Sequence, residues 1–158
     1  MKLTEFRKVY EDLQRKHELP NFDDMNGVFD IGKIKRDSGN FLRDIRRMMG
    51  EKVSYYMRLM EVMINPSQAP PTFLMLLKEI TKDDKKVLDS VFTAFMDIEI
   101  SSYKLNVNST DAEEVDFINK IYKIWNEKTH ELIKIIDILD RNWKQVDKLP
   151  KQSRGYFS

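Results

Sequence analysis

The sequence predicts an all-α protein, an antiparallel up-and-down bundle of four long helices with one additional short helix. Three observations carry this expectation. Apolar residues recur at steps of three and four along almost the whole chain, and the two-residue alternation of a half-buried strand is absent. Prolines and turn formers cut the periodic stretches into helix-sized pieces. Two Thr-x-x-acid patterns stand where two of those pieces begin.

The elements follow in order. The first helix is predicted over residues 4–17, with Phe6, Val9, Tyr10 and Leu13 on one face, and it ends before Pro20. "LPNFDDMNGVFDIGKIK" is rich in turn formers and reads as an irregular connection with one short helical turn. Ser38 serves as the N-cap of a second helix running to Ile64, whose stripe is Phe41, Ile45, Met48, Tyr56, Leu59 and Met63. "NPSQAPP" stops it, because prolines withhold the amide hydrogen that a helix interior needs.

Pro71 fits the first turn of a short helix over 72–80. Thr81 with Asp84 then resembles a capping box and opens a fourth helix to Tyr103, on Leu88, Val91, Phe92, Phe95 and Ile98. After the turn "KLNVNS", Thr110 with Glu113 caps the last helix. Its stripe is Ile118, Ile121, Trp125, Leu132, Ile136, Leu139, Trp143 and Val146, and Pro150 closes it. Roughly 37 residues at about 1.5 Å each reach about 55 Å, well beyond the neighbouring helices. The overhang leaves Trp143 exposed unless the helix bends near "DRNW" or a second copy of the chain packs there. A homodimer is the expectation. Residues 1–150 are read as one bundle domain and 151–158 as a frayed tail.

Charge and composition narrow the function classes. Formal net charge is +1, so bulk electrostatics draws the chain to neither nucleic acid nor an anionic membrane. With no cysteine there are no disulfides, no thiolate metal sites and no cysteine nucleophile, which suits a reducing cytoplasm. The N-terminal "MKLTEFRKVYEDL" mixes charges with apolar residues and is no secretory signal. The longest strongly apolar run, Phe73 to Leu77, falls far short of the roughly 20 residues that span a bilayer.

Glu127 and His130 have the Glu-x-x-His spacing with which carboxylate bundles present metal ligands. At about 100° per residue, however, both point away from the stripe that carries Ile121 and Trp125. With two histidines in the chain, and Gln14 rather than an acid three residues before His17, a second such pair cannot be built. No metal and no cofactor are therefore expected. His17 lies on its helix's apolar stripe but near the C-terminus, where it caps carbonyls.

Lys52 and Glu99 are the opposite case, since each falls inside the apolar stripe of its helix. Two inward charges of opposite sign make either a structural ion pair or an acid and base at the floor of a ligand pocket. Arg43, Arg46 and Arg47 form a basic strip, with Arg43 and Arg47 one turn apart on the outer face and Arg46 on its flank, suited to phosphate. Lys144, Lys148, Lys151 and Arg154 add positive charge at the end of the chain. Met48, Met49, Met57, Met60, Met63 and Met75 fill an irregular core. There is no Gly-rich phosphate loop and no nucleophile–histidine–acid pattern. A helix-turn-helix reading of "FLMLLKEITKDDKKVLDSVF" fails, because its second helix is apolar and acidic where base-reading groups belong.

The leading reading is a non-enzymatic helical interaction or scaffold protein, cytoplasmic and dimeric, acting through its helix surfaces. The alternatives are nucleic-acid or phosphate binding on the arginine strip, and ligand binding or catalysis at Lys52 and Glu99.

Overall fold

The computed structural model describes residues 2–35 and 39–148. Among the described residues all regular structure is helical. Six α-helices follow one another: α1 (Leu3–Lys16), α2 (Phe22–Phe29), α3 (Phe41–Ile64), α4 (Pro71–Leu76), α5 (Lys82–Val107) and α6 (Asp111–Asp147). Two 3-10 turns, Ile31–Lys33 and Pro66–Gln68, join them. The expected Ser38 cap, Lys151, Arg154 and the 151–158 tail lie outside the described residues.

The long helices stand close to where the sequence places them, and their caps show why. Thr81 and Asp84 exchange bonds across the start of α5, Thr81 N to Asp84 Oδ2 at 2.9 Å and Asp84 N to Thr81 Oγ1 at 3.1 Å. Thr110 and Glu113 do the same for α6, at 2.8 Å and 3.3 Å. These bonds satisfy amides that have no partner inside a helix. At the start of α3 the cap is Asn40, whose Oδ1 accepts the Arg43 amide at 3.0 Å.

The connection expected to hold one short helical turn is more ordered than that. The supposed irregular connection contains α2, an eight-residue helix. Asn21 caps it by accepting the Asp23 amide, and Asp23 and Asp24 complement the positive end of its dipole. Phe22, Met25 and Phe29 bury its inner face. The helix stops at Asp30, held in the left-handed region at φ 56°. The short helix after the prolines is smaller than expected and ends at Leu76.

The chain divides into two compact units. The first takes residues up to 55 together with 95–127; the second takes 56–94 together with the residues from 128 on. In the first unit, aromatic rings from α1, α2 and α3 meet: Phe6 lies 4.6 Å from Phe41 and 6.1 Å from Phe22, centroid to centroid. Tyr10 is buried beside them and donates to the Pro20 carbonyl at 2.9 Å, and burial drives its phenol pKa upward. Trp125 of α6 stacks on Phe95 of α5 at 5.9 Å and meets Phe29 edge-on at 5.4 Å.

The second unit buries Met57, Met60 and Met63 of α3, Leu88 and Val91 of α5, and Leu132, Ile135 and Ile138 of α6. The methionines fill the irregular space that the sequence assigns to them. Asn142, also buried, donates to the Leu76 carbonyl and ties the end of α4 to α6.

Two inner faces are rotated from the expected stripes. On α3 the buried row is Leu42, Ile45, Arg46, Met49, Val53, Met57, Met60 and Met63, while Phe41, Met48, Tyr56 and Leu59 sit at its edge. On α6 the row beyond Leu132 is Ile135, Ile138 and Asn142, in place of Ile136, Leu139 and Trp143. A straight α-helix turns about 20° per seven residues against a strict heptad row, so a long row must step to a new register.

Candidate functional site

Each charged candidate is defined by what its head group touches. Lys52 is half-buried, and its Nζ donates to the carbonyl of Val28 in the last turn of α2. The same ammonium lies 5.0 Å from the Trp125 ring centroid and 5.8 Å from that of Phe29. Carbonyls at a helix C-terminus carry partial negative charge and lack partners within the helix. Lys52 therefore closes α2 from a different helix, with its charge shielded by two π faces. Glu99 has other neighbours. Its Oε2 accepts from Ser54 Oγ at 2.7 Å and its Oε1 from Tyr103 Oη at 3.2 Å. Among the described residues no ion pair joins Lys52 to Glu99.

The arginine strip is also redistributed. Arg47 is exposed, as expected of an outer face. Arg46 is not on that face: it is 1% exposed, in the middle of the buried row of α3. Its Nε meets Glu114 Oε2 at 2.5 Å, and Glu114 is 0% exposed. Its other two nitrogens donate to Ser102 Oγ at 3.1 Å and Asn106 Oδ1 at 2.9 Å. Ser109 Oγ donates to the second Glu114 oxygen at 2.5 Å, and Arg43 Nε stands 3.7 Å from that oxygen.

A buried charge is tolerated when it is paired and hydrogen-bonded, and Arg46 has Glu114 as its counter-charge and a bond from each of its three nitrogens. Arg46 has no nitrogen left over for a phosphate. The cluster is a clasp joining the start of α3, the end of α5 and the start of α6. Sequence reasoning missed its acid partner, although the signal was present: Glu114 falls about 40° from Ile118 on the helical wheel, within the apolar stripe of α6. The rule that singles out Lys52 and Glu99 also selects Glu114.

Glu127 and His130 are both exposed, and Glu127 faces Lys123 at 4.0 Å. Among the described residues no group of three or more histidine, aspartate or glutamate side chains is placed to hold a metal ion. No helix is long and apolar enough to cross a membrane among the described residues. His17 is half-buried just past the end of α1, its amide bonded to the Leu13 carbonyl at 2.8 Å.

The second unit carries an open depression of about 410 Å³ lined by Asp83, Asp84, Asp137, Lys134 and Arg141 with Val87 and Ile138. Two of its polar groups serve the fold, since Arg141 donates to Asp84 at 3.0 Å and Asp84 caps α5.

Several large apolar side chains point outward. On α5, Met96, Ile100, Tyr103 and Val107 follow one another at steps of four, three and four, with Ile100 52% exposed, Tyr103 60% and Val107 89%. On α6, Ile133, Ile136 and Trp143 form a second exposed row, with Trp143 49% exposed. Spacing of this kind places side chains along one side of a helix, where a partner helix makes contact.

Comparison with known proteins gives no further guide to the chemistry. No family model matches the chain, and neither a curated protein nor a solved structure resembles it significantly.

Proposed function

We propose that this chain is a non-enzymatic interaction or scaffold protein that works as a homodimer through its helix surfaces. The observation that carries the reading is the pair of exposed apolar rows on α5 and α6. Side chains of this size gain about 1.5–3 kcal/mol each on full burial, so an outward row at helical spacing is a natural contact surface for another helix. The groups considered for a ligand pocket, Lys52 and Glu99, are engaged with α2 and with Ser54 and Tyr103, and Arg46 of the phosphate reading is engaged with Glu114. The arrangement we infer for the long helices α1, α3, α5 and α6 is an antiparallel up-and-down bundle, favoured by short reversals such as the three residues between α5 and α6. A cytoplasmic setting belongs to the same reading, because a chain without cysteine takes no benefit from an oxidising compartment.

Native mass spectrometry of the purified full chain tests the proposal. A dimer free of small molecules is expected at micromolar concentration. A monomer retaining a nucleotide, metal or other small ligand would replace this reading with a binding or catalytic one.

A further inference from the structure

Resting on the self-association proposed above, we infer that the second copy docks on α5, antiparallel to it, along Met96, Ile100, Tyr103 and Val107. The row has the a/d spacing of a coiled-coil seam. It lies opposite the inner face of α5, where Ile98 and Val91 are buried. Tyr103 is pre-positioned for contact, because Glu99 accepts its hydroxyl at 3.2 Å while Ser54 holds the other Glu99 oxygen at 2.7 Å. An aromatic ring fixed before binding loses little entropy on docking.

The flanking charges make the row complementary to itself. Asp97 and Lys104 border the seam on one side, Glu99 and Asn106 on the other. A two-fold axis between residues 100 and 103 sets Ile100 against Tyr103 of the second copy and Met96 against its Val107. The same axis brings Asp97 to the second copy's Lys104, and by symmetry this happens twice. A parallel pairing would instead bring Lys104 to Glu99, whose two oxygens are already occupied. Asp97 keeps a side chain 63% exposed even while one oxygen meets Lys120 at 2.6 Å. Antiparallel docking also sets the helix dipoles head to tail. The row on α6 lacks this match: pairing Ile133 with Trp143 of a second copy would bring Asp137 against itself.

Four side chains make a small contact, below about 1,200 Å² in total, so the association is a concentration-dependent equilibrium. Sedimentation equilibrium on the full chain measures it, with circular dichroism confirming helix content for each variant. V107E, at a nearly free side chain, is expected to weaken dimerisation at least tenfold, while I136E on α6 leaves it unchanged. K104D is expected to weaken it severalfold, and D97K combined with K104D to restore it. If I136E dissociates the dimer and V107E does not, this docking mode is overturned and self-association stands. Weakening by K104D without rescue in the double variant overturns the antiparallel geometry, and a monomeric wild-type chain removes both readings.

Discussion

The two units of this protein reach stability by different chemistry. The first is keyed by directional bonds: a buried arginine with three partners, a fully buried glutamate with two, and a lysine closing a helix end against two rings. The second is filled by methionines and aliphatic residues, and its ion pairs stay near water, as with Arg141 and Asp84. A directional cluster fails when one member is removed, because the others are left buried and unpaired. A methionine-filled core loses area but closes partly over a gap. Substitutions of comparable size should therefore cost more in the first unit.

The largest effect is expected from Glu114→Ala. Leaving Arg46 charged and buried should cost about 3–5 kcal/mol, read as a fall in the urea midpoint. Replacing both partners by apolar residues, R46M with E114L, should recover most of that loss. A double variant as unstable as E114A alone would show that the cost lies in packing and not in the orphaned charge. In the second unit, Met60→Ala should cost about 2 kcal/mol, at the low end for a large-to-small change, because neighbouring methionines can shift into the space. A loss equal to that of E114A would erase the distinction between the two units.

Smaller effects belong to the start of α5. Thr81→Ala removes a helix cap and should cost about 1 kcal/mol in the same assay. Partial burial pushes the Asp84 carboxyl up, but the Thr81 amide, Arg141 and the Thr81 hydroxyl outweigh it and hold the pKa below the usual range. A folded pKa below the unfolded one stabilises fully above about pH 4 and is lost as pH falls through the folded value. Acid unfolding should therefore be shallower in D84N than in the wild type over that window. The exposed head of Arg141 limits R141A to about 0.5 kcal/mol.

Much of this fold was legible in the sequence because its signals are local. Thr81 with Asp84 and Thr110 with Glu113 announce the starts of α5 and α6 within four residues. The prolines around residue 70 separate α3 from α4 equally plainly. α2 was obscured because Asn21, Asp23, Asp24 and Gly27 are also turn formers, although Phe22, Met25 and Phe29 carry a helical period. The clasp was hidden for a different reason. An arginine is placed on the outer face of a helical wheel by default, and only a carboxylate 68 residues away makes Arg46 an inner residue. Lys52 and Glu99 were located by the same wheel, yet their partners, a helix-end carbonyl and two hydroxyls, leave no mark in the pattern of charges.

The reading of this chain as a self-associating interaction protein rests most directly on its mass in solution. Native mass spectrometry at micromolar concentration should return twice the chain mass with no bound small molecule. A single-chain mass under those conditions would contradict it.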